Sequence, residues 1–526
     1  MTQNIKELRK KIYFQYIQKF FIVIIFGLLL SVLLVYGTTG VKNHIILILT
    51  LSIFLGVSAL NKKTHWILLC LALIAVCLNP FARLTGGGLL TVDTLNILVS
   101  KNMEETKGLL ENLPTRYYVK SLAFFFVLWL LLKLSKSDKE IVGYIYNGIL
   151  RIVKVFYDNG KLKVSAISIA SLFLFFGILF GNLAVFSKPI YESLYQVSTN
   201  QFPSPTWKAV GERNSKYKTY VIILGESTRK DFMSSYGFPV PTTPYIDSIP
   251  HIRMDSFISP GPNTTISVPR MFALSEGMDV DYQNNIIQLV SQTNMKTYWL
   301  EAQGFLTKWN VTQNIIASYA NKVVYVKRHA DYNLIPEFEK VLKSDSGDKL
   351  IILHTYGLHT DYCQRLDGFN NLIYPTTSKR LNCYINGVRK ADDFFRRVDQ
   401  LLKKDGKPYS LLFVADHGVN IVPEVTDIRE HRTDKVKVAF DTPFIMTSSD
   451  LKETHSYSPI RSGRRFPHFV AQWIGISTSI ADKAKGDFFT GENDYPRNRG
   501  YTRIIEYPKL PLGETAIDLY NKYKKE

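Results

Sequence analysis

Tyr220-Val221-Ile222-Ile223-Leu224-Gly225-Glu226-Ser227-Thr228-Arg229-Lys230-Asp231 decides how this chain is read. The apolar residues Val221 to Leu224 read as a fully buried parallel strand. Gly225 ends it and delivers Glu226 at its carboxyl edge, where open α/β sheets bind ligands. A carboxylate at the rim of a core is costly unless it is paired or holds a metal.

Working outward, strand-like runs recur at Tyr220–Leu224, Thr297–Leu300, Val323–Val326, Leu350–His354, Ser410–Ala415 and Pro443–Thr447. Helical patterns lie between them, as at Ala391–Lys404. Alternating strands and helices predict an α/β domain with a mostly parallel sheet covered on both faces. Its polar chemistry gathers after strands. Leu411 to Ala415 run into Asp416-His417-Gly418, and Ile351 to Leu353 run into His354, Gly357 and His359. Together with Glu226 these supply the N and O ligands typical of zinc.

A metal site that acts on a bound group needs a nucleophile. The loop Ser259-Pro260-Gly261-Pro262-Asn263-Thr264-Thr265-Ile266 leads toward a helix predicted at Ser267–Leu274. A hydroxyl there can cap the helix or, beside a divalent cation, attack phosphorus. Thr264 and Thr265 are both candidates.

The residues before about Val185 have a different character. Five apolar runs (Phe20–Tyr36, His44–Leu60, Trp66–Leu78, Ser121–Leu132 and Val164–Val185) read as transmembrane helices. Segments 1–19, 61–65 and 133–163 hold 14 Lys/Arg against 4 Asp/Glu, over half of the net +19. The positive-inside rule puts them in the cytoplasm and everything after 186 outside it. So placed, the charge excess argues against nucleic acid as partner. The expected organisation is a membrane domain over 1–185 with an interfacial loop at 81–120, a linker at 186–218 and a catalytic domain at 219–526 outside the cytoplasm, which in a bacterium is the periplasm. Cys70 and Cys77 sit in an apolar run; Cys363 and Cys383 lie in the exported half, where a disulfide is expected.

The motifs Gly225-Glu226-Ser227-x-Arg229-x-Asp231, Ser235-Tyr236-Gly237 and Thr242-Thr243-Pro244, with Asn102-Met103-Glu104-Glu105 in the long loop, resemble the phosphoethanolamine transferases of Gram-negative bacteria. The resemblance covers nearly the whole chain. It implies an inner-membrane enzyme with five spans, a cytoplasmic N-terminus and a periplasmic domain of the alkaline phosphatase/sulfatase fold. Leu353-His354-x-x-Gly357-x-His359, Cys363-x-Arg365 with Cys383-Tyr384, Pro443-Phe444-x-Met446-x-Ser448-Ser449-Asp450 and Gln472-Trp473-x-Gly475-Ile476 are most like the branch that modifies osmoregulated periplasmic glucans.

Carried over, the resemblance makes Glu226, Thr264, Asp416 and His417 the ligands of a catalytic zinc. Thr264 is its nucleophile, three residues before Ser267-Val268. His359 and His431 contact the phosphoryl group or a second zinc, and Asn102 and Thr106 contact the lipid donor. The implied donor is phosphatidylethanolamine, the acceptor a periplasmic glycan or lipopolysaccharide, and the protein a monomer. A glycerol-phosphate transferase and a phosphodiesterase are the rival readings. Three departures stand out. Val419-Asn420 follow the Asp-His-Gly where many relatives have Glu-Ser. Pro260 and Arg270 occupy positions where lipid A-modifying members carry a disulfide. Ser267-Val268-Pro269-Arg270-Met271 breaks the sulfatase maturation pattern at its fifth position.

Overall fold

The computed structural model describes residues 204–303, 311–326, 330–344, 347–431, 433–483, 486–501 and 503–525. The five expected spans, the loop at 81–120, Asn102 and Thr106 lie outside the described residues. Among the described residues no helix is long and apolar enough to cross a membrane.

One nine-stranded sheet carries the fold. Its members are β1 (Thr219–Gly225), β2 (Ile252–Ile258), β3 (Lys296–Glu301), β4 (Lys322–Tyr325), β5 (Lys349–His354), β6 (Tyr409–Ala415), β7 (Asp441–Thr442), β8 (Phe444–Ser448) and β9 (His455–Ser462). The spatial order is β7-β2-β8-β6-β1-β5-β3-β4, with β9 also on β2. The strands β6-β1-β5-β3-β4 are parallel to their neighbours, while β8 runs antiparallel to both β6 and β2. The expected parallel sheet is therefore mixed on its β8 flank.

Alternation along β1 builds the two faces. Val221 and Ile223 join a core with Phe338 and Val341 of α2 (Leu334–Ser344) and with Leu381, Ile385 and Val388 of α3 (Lys379–Asp405). Tyr220, Ile222 and Leu224 join the opposite core with Val268, Met271 and Phe272 of α1 (Thr264–Phe272) and with Phe466 and Val470 of α4 (Phe466–Trp473). Each such buried side chain contributes roughly 2 kcal/mol. Both faces are dry, so β1 has no polar alternation to show in its sequence.

Four elements depart from the sequence reading. β2 and β9 were not expected. In β2 (Ile-Arg-Met-Asp-Ser-Phe-Ile) a salt bridge from Arg253 Nε to Asp255 Oδ1 (3.1 Å) breaks up the apolar run. α3 begins at Lys379, twelve residues before the predicted Ala391. Its first half buries Asn382, Asn386, Arg389 and Lys390, which hide the apolar period. Ser378 caps it by accepting from Leu381 N, and Gly406 closes it at φ +73°. α1 starts at Thr264 rather than Ser267 and ends at Phe272. Asn263 is the cap, its side chain accepting from Ile266 N.

The last part of the expected linker packs onto this domain. Trp207 is 1% exposed, and Val210 N and Asn214 N donate to Ser477 O and Gly475 O (2.8 Å each). Cys363 and Cys383 form the expected disulfide, joining the loop after β5 to α3. Closing a loop between cysteines 20 residues apart stabilises by about 3 kcal/mol in the chain-entropy account. A Cys363→Ala/Cys383→Ala variant should therefore unfold with a free energy roughly 3 kcal/mol smaller in denaturant titration; an unchanged midpoint would contradict this.

Candidate functional site

Strand register brings the site together. Gly225 of β1 pairs with Ala415 of β6, so the residues that follow, Glu226 and Asp416, leave the sheet side by side. Asp416 N–H donates to Gly225 O (2.9 Å). His417 comes next along the chain, its Nε2 3.3 Å from Glu226 Oε1 and 3.6 Å from Asp416 Oδ2. One ligand atom from each of Glu226, Asp416 and His417 lies within 4.8 Å of the others, and all three residues are buried.

α1 delivers the hydroxyl. Ser267 of α1 and Ser259 of the preceding loop both donate O–H to Asp416 O. These bonds dock the helix N-terminus beside the acids. Thr264 Oγ1, on the first helical residue, donates to Glu226 Oε2 (2.8 Å) and lies 3.4 Å from His417 Nε2. Thr265 Oγ1 instead donates to Asn263 Oδ1 (3.0 Å). Of the two threonines, only Thr264 faces the cluster.

The electrostatics call for a cation. Burial pushes the Asp416 carboxyl up to about 7, with the neighbouring Glu226 charge adding to it. Burial alone would lower His417, but the charges of Asp416 and Glu226 bring it up to about 9. Burial opposes ionisation of Glu226 too, yet His417 outweighs it and holds that carboxyl well below its usual range. Asp416 Oδ1 accepts from His417 N (2.7 Å) and Ser227 N (3.2 Å). Its other oxygen, Oδ2, is buried with no hydrogen-bond partner. An orphaned carboxylate oxygen, a second carboxylate, an imidazole and a hydroxyl at one point fit a zinc ion.

His359 and His431 are the remaining candidates. His359 stacks on Tyr356 (centroids 4.8 Å apart), its Nδ1 3.2 Å from Tyr356 Oη. Its charge helps to depress Glu226. His431 is exposed, and its N–H donates to Asn420 O (2.9 Å). Glu430 ties the two histidine-bearing segments together, because Thr360 Oγ1 (2.9 Å) and Tyr362 Oη (3.2 Å) both donate to its Oε2. His354 sits behind the cluster, its Nδ1 2.7 Å from Glu301 Oε2 and its Nε2 3.0 Å from Gln303 Nε2.

Sequence reasoning missed two residues. Ser227 has a left-handed backbone (φ +51°), which costs a non-glycine residue roughly 1–2 kcal/mol. There its Oγ donates to Glu226 Oε1 (2.6 Å). The positive φ has no sequence signature in a serine. Gln303 donates from Nε2 to Glu226 Oε2 (3.1 Å). It lies two residues beyond the end of β3, where the other site loops also begin, and strand-end position was the signal available. Arg229 and Asp231 of the opening motif are structural. Asp231 clasps the buried Arg229 at two points (2.9 and 2.6 Å) and accepts from Ala516 N (2.8 Å).

Residues 218–476 match the sulfatase family model. Phosphoethanolamine transferase OpgE of Escherichia coli (strain K12) is 26% identical over 434 residues, 77% of this chain and 79% of that protein. The chain is similar to phosphoethanolamine transferases. A putative phosphoethanolamine transferase of Haemophilus influenzae is 32% identical over 247 residues, 43% of this chain but only half of that protein's length. Among solved structures, the integral membrane protein lipooligosaccharide phosphoethanolamine transferase A (EptA) from Neisseria meningitidis shares the fold. Its TM-score is 0.51 at 16% identity, covering 85% of this chain and 95% of that one. The described domain is thus sulfatase-like in fold.

Two predictions follow from the site's geometry. Asp416 and His417 both have raised pKa values, so near neutral pH the metal-free site holds protons that a cation must displace. Zinc affinity should rise with pH through about 7 toward about 9, by roughly tenfold per unit for each proton displaced. Calorimetry in buffers of different ionisation enthalpy would detect the released protons; pH-independent binding would refute this. Gly357 has φ +42°, and a Cβ there would sit 3.1 Å from Glu226 N and 3.2 Å from its O. Gly357→Ala should cost roughly 1–2 kcal/mol of stability from the backbone alone and weaken zinc binding as well. Thermal melts and chelator competition check both effects.

Proposed function

We propose that the protein transfers phosphoethanolamine from phosphatidylethanolamine to a periplasmic glycan, with osmoregulated glucan the favoured acceptor. The observation that carries this reading is Thr264. Its hydroxyl, at a helix N-terminus, points into a buried cluster of two carboxylates and an imidazole. Glu226, Asp416, His417 and Thr264 would hold zinc. When bound, the ion offsets phosphoryl charge and favours the ionised hydroxyl.

In the first half-reaction Thr264 Oγ attacks the lipid phosphorus. The Oγ–P bond forms, the bond to the diacylglycerol oxygen breaks, and diacylglycerol leaves with a proton. In the second half-reaction an acceptor hydroxyl attacks phosphorus, the Thr264–phosphorus bond breaks, and Thr264 recovers a proton. The N-terminus of α1 favours the anionic group throughout. His359 supplies or takes the proton at the leaving or attacking oxygen, and His431 holds the phosphoryl oxygens. A histidine pair of this kind could equally hold a second zinc.

A donor that stays in the bilayer explains a five-span anchor over 1–185, with Asn102 and Thr106 at the lipid and a catalytic domain from 219 reached through a linker. The Cys363–Cys383 disulfide supports an exported domain. The stretches around these cysteines and at Pro443–Asp450 favour the glucan-modifying branch over lipopolysaccharide core or lipid A.

Mass spectrometry of glucans and lipopolysaccharide from cells with and without the gene tests the acceptor. Phosphoethanolamine on glucan supports the reading. Transfer to lipid A or core moves the acceptor, glycerol phosphate on the product overturns the donor, and release to water alone makes the protein a phosphodiesterase. Thr264→Ala should abolish transfer and the covalent adduct on the Thr264 peptide while retaining the fold. Full transfer by that variant would overturn the nucleophile.

A further inference from the structure

The hydrogen bonds of the site continue behind it, into the sheet. Glu301 ends β3 and His354 ends β5, and the two are partners in strand register. Their side chains are buried, 1% and 0% exposed. Glu301 accepts from His354 Nδ1–H (2.7 Å), from Trp299 Nε1–H (3.0 Å) and from Gln303 N–H (2.7 Å). A carboxylate so saturated with donors has one orientation. It sets the imidazole with Nδ1–H toward the carboxylate.

Gln303 occupies the other side of that imidazole. Its Nε2 is 3.0 Å from His354 Nε2, 3.1 Å from Glu226 Oε2 and 3.1 Å from Thr355 O. A carboxylate and a carbonyl oxygen only accept, so the amide must turn its NH2 group toward them. Rotated by half a turn, it would set its own oxygen against a carboxylate and a carbonyl in a buried space. Glu226 and Thr355 therefore fix the amide orientation, His354 packs against its NH2 group, and the amide holds the Glu226 oxygen that Thr264 also contacts.

We propose that Gln303 is a positioning residue that fixes Glu226 for the metal and for Thr264, and that Glu301 and His354 act on the site through it. This rests on the reading of Glu226 as a metal ligand. A hydrogen-bonded partner behind a ligating carboxylate holds its geometry before the ion arrives, and loss of such partners lowers metal affinity.

The full-length protein in detergent, titrated with zinc and separately loaded with cobalt(II) for its visible spectrum, tests this. Gln303→Met keeps the bulk and removes the donor. Zinc affinity should fall roughly ten- to hundredfold, and the cobalt band should shift. His354→Asn alone should give a loss of the same order but add less than about twofold in the Gln303→Met background. Gln303→Glu keeps the shape and turns the donor into an acceptor. It serves as the second variant should methionine disturb folding, and it should lose affinity too. Wild-type affinity with an unchanged cobalt spectrum in Gln303→Met or in folded Gln303→Glu would overturn the proposal. So would a His354→Asn effect undiminished in the Gln303→Met background. Glu226→Ala separates the two layers. Zinc binding that survives it overturns the metal reading and this inference together, whereas binding lost in Glu226→Ala but kept in Gln303→Met overturns this inference alone.

Discussion

Two carboxylates leave adjacent strands at the same level, and the rest of the domain is arranged around that juxtaposition. Pairing of Gly225 with Ala415 makes Glu226 and Asp416 neighbours, and both are buried. Like charges so close and so dry are unfavourable unless positive charge joins them. His417 supplies part of it, and the raised values of Asp416 and His417 express what is left over. A divalent cation resolves the conflict in a way a proton does only partly, because it also satisfies the bare Asp416 Oδ2.

The scaffold holds the acids against their own repulsion. Tyr384 of α3 accepts from Arg229 N (3.1 Å) and donates to Ser227 O (2.8 Å), so the helix grips the loop just after Glu226. Leu358 N donates to Glu226 O (3.2 Å) from the His359 loop. The disulfide joins that loop to the same helix. Ser259 and Ser267 pin the α1 N-terminus to the Asp416 carbonyl. The loops that carry the cluster are thus tied to the scaffold, and its geometry is set before any substrate arrives.

Much of this was legible in the residues. β1, β3, β5 and β6 announced themselves as unbroken apolar runs, because both faces of the central sheet are covered. Glu226, Asp416 and His417 could be found because strand ends are where such sheets place chemistry. β2 was invisible because its Arg253–Asp255 pair interrupts the pattern. The first half of α3 was hidden by buried polar side chains. The choice between Thr264 and Thr265 depended on one residue of helix phase, about 100°, which Asn263 sets by capping. His354 illustrates the limit of motif reading. It stands in a His-x4-His pattern with His359, yet it turns to Glu301, and only the fold shows the difference.

Diffraction from metal-loaded crystals at the zinc absorption edge bears most directly on the central claim. The account predicts an anomalous peak within bonding reach of Glu226, Asp416 Oδ2, His417 Nε2 and Thr264 Oγ1. A zinc bound elsewhere, with the two carboxylates left to share a proton, would contradict it.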